Sequence, residues 1–274
     1  MLQLRVVGRL WGATLMSAIF ASSANTRTTS AAQDQAIEDS KDEEDVADDD
    51  ADPPALTVYK GRRIAQTMHY FGAEWLIRAN RENEERCSVM LGQLGLKRGM
   101  TVCDMGCGNG FYALQIAKMV GPQGSVLCVD IQPEMLEFLK QRAAERAVTN
   151  YKPILGKLHD PRLPVGKVDL ILCVDVYHEF SHPVQMLASM RKSLAPGGVV
   201  VLLEYREEDR GVPIKPLHKM SKDQIMKEMP ANGFKLVKEF NKLPWQHMMF
   251  FGRDDDKTLT AIKPVVFHPD DIEL

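Results

Sequence analysis

The sequence predicts an α/β fold in which a mostly parallel sheet is covered by helices on both faces. Short, mainly apolar runs at residues 102–105, 126–129, 168–174 and 199–203 suit strands that are buried on both sides. Segments with apolar residues three and four positions apart separate these runs and predict helices. Three glycines follow the first run within five positions. Open α/β sheets bind nucleotide-like ligands at such a turn between a strand and a helix.

The first strand leads into Asp104-Met105-Gly106-Cys107-Gly108-Asn109-Gly110. This spacing is G-x-G-x-G, whereas the dinucleotide fingerprint is G-x-G-x-x-G. Glycines let a ligand approach the backbone closely, because they carry no Cβ atom. Asp104 would repel a pyrophosphate but would accept hydrogen bonds from an ammonium group. S-adenosylmethionine (SAM) has an α-amino group and no phosphate, so it fits this segment better than a dinucleotide; a glycine-rich turn without a ligand is the alternative.

This segment resembles the first motif of class I SAM-dependent methyltransferases, an acidic residue followed by G-x-G-x-G. The resemblance covers residues 98–205, including Pro196-Gly197-Gly198 ahead of the fifth strand. It implies a Rossmann-like, doubly wound sheet of seven strands, mostly parallel with the last strand antiparallel, and SAM as the cofactor. The predicted cofactor-binding residues are Asp104, Gly106, Cys107, Gly108, Gly110, Asp130, Ile131, Asp160 and Asp175.

Acidic residues after the next strands extend this site. Asp130 ends the second strand, 24 positions after Gly106, where a carboxylate can hold both hydroxyls of a ribose. Asp160 follows the third strand, where the family has an acid near the adenine amino group; a surface turn before Pro161 explains it almost as well. Dehydrogenases also use an acid at the position of Asp130. An NAD(P)-dependent oxidoreductase is therefore an alternative, and a non-catalytic SAM-binding protein is another.

The fourth strand is followed by Asp175-Val176-Tyr177-His178-Glu179, which leaves the strand end toward the predicted cleft. Methyl transfer from a sulfonium needs positioning, exclusion of water and sometimes a base. We predict that His178 or Tyr177 orients or deprotonates a small-molecule or lipid-like acceptor, with Glu204 or His218 nearby. The alternative is that Tyr177 packs against the cofactor and His178 caps the loop. No zinc-ligand spacing occurs in the sequence, and we predict no metal site.

Residues 61–78 resemble the N-terminal signature of bacterial predicted methyltransferases of unassigned substrate. We interpret them as a helical hairpin that packs Ile64, Met68, Trp75 and Leu76 on the sheet. The alternative is that they fold over the cofactor and supply His69, Tyr70 or Trp75 to the substrate pocket. The charged run Glu82, Glu84, Glu85 and Arg86 suggests a solvated helical face.

The remaining segments complete the predicted organisation. Ser221 and Gln224 form a capping box for a helix that Gly233 ends, and two further strands follow at 234–240 and 247–251. The predicted parts are a signal-like or targeting segment (1–33), an acidic disordered spacer (34–55), a helical cap (56–97), a SAM-binding methyltransferase domain (98–253) and a loosely ordered tail (254–274).

Charge and composition restrict the partners and the compartment. The net charge is −3, and residues 34–52 contain eleven acidic residues against one lysine, which suggests disorder. No basic stripe alternates with aromatic residues, so we expect no nucleic-acid partner.

The apolar stretch 10–20 is short for a membrane span and is typical of a signal peptide, which predicts export or a periplasmic location. A cytoplasmic protein with a misassigned start, or organellar targeting, is the alternative. Five cysteines, mainly on core strands, do not suggest a disulfide framework.

Overall fold

A computed structural model describes residues 52–272. The signal-like segment 1–33 and most of the acidic spacer 34–55 lie outside the described residues. The strands are β1 Val58–Tyr59, β2 Arg62–Arg63, β3 Thr101–Met105, β4 Ser125–Asp130, β5 Tyr151–Leu155, β6 Val168–Val174, β7 Leu194–Tyr205, β8 Phe234–Phe240 and β9 Gln246–Arg253.

Helices connect these strands. The α-helices are α1 Arg81–Glu85, α2 Cys87–Gln93, α3 Phe111–Val120, α4 Pro133–Glu145, α5 Pro183–Ser193 and α6 Lys222–Glu228. Short 3-10 helices are formed by Tyr70–Ile77, Tyr177–Glu179, Pro216–His218, Pro230–Asn232 and Pro269–Asp271. Proline in the first turn of α4 and α5 is compatible with the helix start, because that N–H has no intrahelical partner.

Seven strands form one sheet in the order β5-β4-β3-β6-β7-β9-β8. The pairs from β5 through β7 are parallel, and β9 is antiparallel to both β7 and β8. The predicted mostly parallel, seven-stranded, Rossmann-like sheet is confirmed. Among residues 52–272, none of the helices combines the length and the hydrophobicity that a membrane span requires.

Each face of the sheet has its own hydrophobic core. Val102 packs in the core that contains side chains of α2, α3 and α4, whereas its neighbour Cys103 packs in the core with α5 and α6. Successive side chains of a strand point to opposite faces, so an unbroken apolar run is what a sheet covered on both sides requires. The cysteines are buried and free.

The strand order determines where the loops meet. From β3 the chain first adds β4 and β5 on one side, and then returns to add β6 and β7 on the other side. This reversal between β3 and β6 is the switch point at which open α/β sheets leave a crevice beyond the carboxyl ends of the strands. The turns after β3, β4 and β6 therefore surround one space.

The cap segment 56–97 differs in part from the predicted helical hairpin. It begins with the two-stranded ribbon β1–β2, and helices follow only from Tyr70 onward. Lys60 and Gly61 both have positive φ, at 47° and 93°, which is the conformation of a type I′ hairpin turn. The expectation of a solvated face is wrong for Glu85, which is 1% exposed. Its carboxylate accepts hydrogen bonds from Arg81 and Tyr205 at 2.9 Å each.

The C-terminal segment, which the structure describes over residues 254–272, packs on α2. The Val265 N–H donates to the Gly92 carbonyl at 2.8 Å, and Ile262 and Phe267 pack against the core. A Cβ atom on Gly92 would lie 2.6 Å from the Val265 oxygen. The segment has little regular structure, as its composition suggested, but these contacts hold it in place and do not fit a loosely ordered tail.

Candidate functional site

The glycine-rich turn between β3 and α3 is held against the end of β4. The N–H groups of Gly106 and Cys107 both donate to the Val129 carbonyl, at 2.8 and 2.9 Å. Gly106 and Gly108 have φ of 69° and 53°, a region that favours glycine. Added Cβ atoms would lie 2.5 Å from Val176 and from Leu76, respectively. Both the backbone conformation and the packing therefore require glycine at these two positions.

A cavity of about 570 Å³ lies beyond the carboxyl ends of β3, β4 and β6. This volume is within the usual range for sites that bind small molecules and cofactors. Part of the predicted cofactor set lines it. These residues are Gly106, Gly108, Asp130, Ile131 and Asp175.

Asp130 lies at the end of β4 with both carboxylate oxygens fixed by the backbone. Oδ2 accepts from the Gly108 N–H and Oδ1 from the Gln132 N–H, each at 2.9 Å. Burial raises the pKa of Asp130, although these backbone donors act in the opposite direction. Each oxygen has a further lone pair. The carboxylate is thus oriented in the cavity wall and retains acceptor capacity for ligand hydroxyls.

Asp175 follows β6 with φ of 50°, a left-handed conformation that is uncommon outside glycine and often occurs at functional sites. Oδ2 accepts from Gln246 Nε2 at 2.9 Å, whereas the buried Oδ1 has no hydrogen-bond partner. Burial, with the charges of Glu85 and Glu204, raises the pKa of Asp175 well above its ordinary value. A buried acceptor without a donor is rare in folded proteins, and here it belongs to a residue of the cavity wall.

Four predicted cofactor residues do not line the cavity. Asp104 is 3% exposed and accepts the backbone N–H of Ala113 in α3; burial raises its pKa to about 7. Its predicted contact with the ligand ammonium has no support in this geometry, because the buried side chain does not line the cavity. Cys107 packs in the core, and Gly110 precedes α3. Asp160 Oδ1 accepts from the Arg162 N–H at 2.8 Å, which is the surface turn named as the alternative.

His178 lies in the cavity wall on the 3-10 helix that follows Asp175. Its Nδ1 is 2.6 Å from Oε2 of Glu204 at the end of β7, and its Nε2 is 3.1 Å from His218 Nδ1. Burial lowers the pKa of His178, but the charge and hydrogen bond of Glu204 outweigh burial and raise it overall. The structure thus brings together His178, Glu204 and His218.

Glu179 was not predicted as a site residue, yet it also lines the cavity. Its Oε1 accepts from the Met68 N–H at 3.3 Å and lies 3.9 Å from His178 Nε2 and 3.7 Å from His218 Nδ1. Burial raises the pKa of Glu179 to about 7. His218, which the sequence analysis placed near His178, is 40 positions from it in the chain, and Glu179 is the member of this group that was not named. The polar residues in the loop after β7 were the feature of the sequence that could have indicated this group.

The prediction that Tyr177 contacts the acceptor is not supported by its position. Its ring is fully buried in the core beside α6, and its hydroxyl donates to Glu228 Oε2 at 2.7 Å. Burial raises its pKa well above the ordinary value. Neighbours in a 3-10 helix project about 120° apart, so Tyr177 and His178 point in different directions. Tyr177 instead helps to position the loop, because its N–H donates to Glu204 Oε1 at 2.9 Å.

A sequence profile for a family described as a methyltransferase domain matches residues 96–258. The chain belongs to this family. The glycine turn and the sheet described above fall within the matched residues. The matched part of the chain is thus a class I SAM-dependent methyltransferase domain with SAM as its cofactor, and the oxidoreductase alternative is not supported.

Several curated proteins are similar to this methyltransferase. An uncharacterized 37.1 kDa protein in a transposon of Streptomyces fradiae is 34% identical over 117 residues, covering 43% of this chain and 33% of that protein. Demethylmenaquinone methyltransferase of Lactococcus lactis is 26% identical, covering 62% of this chain and 66% of that enzyme. The ubiquinone/menaquinone biosynthesis C-methyltransferase UbiE of Cupriavidus pinatubonensis is 29% identical, covering 54% and 58%. The chain therefore spans less than two thirds of the length of each of these relatives.

Solved structures share the fold. A SAM-dependent methyltransferase from Aquifex aeolicus superposes with a TM-score of 0.64 at 23% identity, covering 68% of this chain and 98% of that one. The [4+2]-cyclase SpnF superposes at 0.50 and 19% identity, covering 57% and 59%. Because proteins named for different reactions share this fold, the reaction has to be argued from the site.

The cavity of this methyltransferase fits SAM chemically. The unpartnered Oδ1 of Asp175 matches a ligand ammonium, Asp130 matches the ribose hydroxyls, and the backbone of Gly106 and Gly108 admits the ligand closely. When bound, SAM supplies a methyl group on a sulfonium whose leaving group is neutral. The protein's own contribution is to hold the two reactants in line and exclude water.

Proposed function

We propose that this methyltransferase transfers the methyl group of SAM to a small, largely apolar acceptor that carries an ionisable hydroxyl group, of the hydroquinone or phenol class. His178, His218 and Glu179 bind the acceptor's hydroxyl group and lower its pKa. An ionised oxygen is a nucleophile itself and also activates the ring carbons beside it. The proposal therefore covers transfer to oxygen and transfer to a ring carbon.

The observation that carries this proposal is the contrast within the cavity wall. One part is polar and consists of His178, His218 and Glu179, with Glu204 behind His178. Much of the rest is apolar, with side chains from the cap, the turn after β5, the loop before α5, α5 itself and the loop after β7. These are Met68, Trp75, Leu158, Phe180, Met186, Pro213 and Ile214.

This contrast favours an acceptor with an apolar body and a polar end. Apolar surfaces bind an aromatic or prenylated acceptor by excluding water. Histidine is suited to exchanging a hydroxyl proton near neutral pH. One similar protein is named a demethylmenaquinone methyltransferase and another a ubiquinone/menaquinone biosynthesis C-methyltransferase, which supports an acceptor of this chemical class.

The test is a methyl-transfer assay with purified full-length protein and methyl-labelled SAM. A naphthohydroquinone and a monohydric phenol serve as candidate acceptors. A thiol and a primary amine of similar size serve as controls without an acidic aromatic hydroxyl. Mass spectrometry then determines whether the label is on oxygen or on carbon.

We expect labelled product from a hydroxyl-bearing aromatic acceptor, with S-adenosylhomocysteine formed in equal amount. Transfer only to the thiol or the amine would overturn the proposed acceptor class. Tight SAM binding without transfer to any acceptor of this class would overturn the proposed reaction and favour a non-catalytic SAM-binding protein.

A further inference from the structure

We propose that His178, Glu179 and His218 form a binding site for one divalent transition-metal ion in the wall of the cavity. Each residue offers one ligand atom, and these atoms form the compact group of metal-binding side chains found in the described part of the chain. The set of two imidazoles and one carboxylate is a common one for Zn²⁺ and for Fe²⁺, and it also suits Co²⁺ and Mn²⁺.

The separations of the ligand atoms fit a single ion. His178 Nε2 and His218 Nδ1 are 3.1 Å apart, and Glu179 Oε1 lies 3.9 and 3.7 Å from them. The circle through these three atoms has a radius of about 2.1 Å, and metal bonds to imidazole nitrogen and carboxylate oxygen measure about 2.0–2.2 Å. One ion can therefore reach all three atoms without a change of fold.

Glu204 provides the carboxylate that usually accepts a hydrogen bond from the second ring nitrogen of a metal-bound histidine. Ligand histidines commonly donate the other ring N–H to a carboxylate, which fixes the tautomer and orients the ring. His178 has this arrangement, because its Nδ1 lies 2.6 Å from the buried Glu204 Oε2. The partner on Nδ1 leaves Nε2 as the atom for a metal ion, and Nε2 is the atom that faces His218.

The local charge also favours a cation. Glu179 and Glu204 are two largely buried carboxylates beside the two imidazoles. Within residues 52–272, neither carboxylate forms an ion pair with a lysine or an arginine. Grouped buried carboxylates are costly unless a positive charge offsets them. A divalent ion would supply that charge.

All three ligand residues line the cavity, so a bound ion would retain open positions toward an acceptor. Three protein ligands with an open fourth position are typical of catalytic zinc sites. Resting on the proposed function, the ion would bind the acceptor's hydroxyl oxygen and favour its ionised form, with the proton released to solvent in the cavity; the three residues would then lower the pKa of the hydroxyl through the ion and not by accepting its proton themselves. Metal ions promote ionisation of bound hydroxyl groups in this way.

The first test measures metal binding without an acceptor. Full-length protein is stripped with a chelator, freed of the chelator, and titrated with Co²⁺ by calorimetry and visible absorption. Excess Ca²⁺ is present throughout, because the acidic segment 34–52 offers carboxylates that bind hard cations. The variants are Glu179→Gln, His218→Ala and Glu204→Gln. The matched control is His69→Ala, an exposed histidine outside the cavity.

We expect one equivalent of Co²⁺ per chain. Glu204→Gln should weaken Co²⁺ binding about 10–100-fold, as is typical when a carboxylate that holds a metal-bound histidine is replaced. Glu179→Gln and His218→Ala each remove a ligand atom and should weaken binding more. His69→Ala should leave it unchanged. Thermal unfolding of the metal-free variants checks that each is folded. No Co²⁺ binding in the presence of Ca²⁺, or equal binding by folded wild-type, Glu179→Gln and His218→Ala proteins, would overturn the site.

A second measurement separates this inference from the proposed function. Methyl transfer is compared in metal-stripped protein and in protein reloaded with Co²⁺ or Zn²⁺. Restored transfer supports the role of the ion in binding the acceptor, whereas full transfer by stripped protein overturns that role and leaves the proposed function intact. Metal binding at the three residues without any transfer would overturn the proposed function and leave the metal site standing.

Discussion

His178 Nδ1 lies 2.6 Å from Glu204 Oε2, and both side chains are buried. The two residues follow neighbouring parallel strands, His178 just beyond β6 and Glu204 near the end of β7. The hydrogen bond fixes the imidazole so that Nε2 is directed to His218 in the cavity wall. Glu204 itself does not line the cavity, so it acts on bound molecules through His178.

Replacing Glu204 with glutamine should lower kcat for methyl transfer by about 10–100-fold, because the imidazole loses its anionic partner. The dissociation constant for SAM should change by less than about twofold, since Glu204 is absent from the cavity wall. Steady-state kinetics and calorimetry measure the two effects separately. The control is Glu208→Gln, which alters another histidine–carboxylate pair, with His247 at 2.7 Å. A Glu204→Gln variant with wild-type kcat would contradict the role of this hydrogen bond.

The Asp175→Asn variant should bind SAM at least about 10-fold more weakly than the wild-type protein. The substitution removes the negative charge of the carboxylate that we expect to bind the ammonium group of SAM. Charge-assisted hydrogen bonds are worth about 1.5–3 kcal/mol. Asp104→Asn is the comparison, because Asp104 is buried beside α3 and does not line the cavity. Calorimetry should show less than about a threefold loss for Asp104→Asn. The reverse order of effects would restore Asp104 as the ammonium ligand.

The buried carboxyl of Asp104 should make stability depend on pH. Its pKa is about 7 in the folded protein because of burial, and about 3.9 in an unfolded chain. The folded state therefore binds more protons between these values. The contribution of Asp104 to stability is fully present below about pH 4 and is lost as pH rises through 7, a change on the order of 4 kcal/mol.

Asp104→Asn should flatten this part of the pH profile, since the amide stays neutral and can still accept the Ala113 N–H. Urea unfolding at several pH values between 4 and 8 measures the difference between the variant and the wild-type protein. Other buried carboxyls remain in both proteins, so only the difference is informative. Parallel profiles would show that Asp104 does not titrate in this range.

Arg62 should be essential for stability because it neutralises a buried glutamate. Its guanidinium donates to both oxygens of Glu228, at 2.9 and 3.1 Å, and to the His178 carbonyl at 2.7 Å. Arg62→Ala should lower the free energy of unfolding by about 3–5 kcal/mol, because it leaves a buried charge without a partner. Denaturant unfolding measures the loss. Adding Glu228→Gln should recover part of it, and a double variant no more stable than Arg62→Ala would contradict this explanation.

The sheet was predictable because its signals are local. Four of the five parallel strands contain a short apolar run, which β5 lacks, and the positions of Gly106 and Asp130 follow from the ends of these runs. The side-chain contacts were less predictable, since they depend on which donor lies nearest in three dimensions. Asp104 illustrates this: its carboxylate is buried against the start of α3 and does not line the cavity.

The sequence indicated His178 with Glu204 or His218 nearby, and the structure brings these three residues together. It did not indicate Glu179 or the ribbon of the cap, because no local period encodes either. Strands of two residues, such as β1 and β2, are too short for a periodic pattern. Glu85 has the composition of a surface helix, yet it is buried, where Arg78 and Arg81 neutralise its charge and Tyr205 donates a hydrogen bond to it.

The contact between Gly108 and Leu76 joins the glycine-rich turn after β3 to the cap. A Cβ atom at position 108 would lie 2.5 Å from Leu76 Cδ1, so the size of one side chain limits the other. The cap is therefore not an interchangeable attachment. A chimera that carries this cap on a related catalytic domain should fit best with glycine at the matching position, because any larger residue there would displace the end of the leucine side chain.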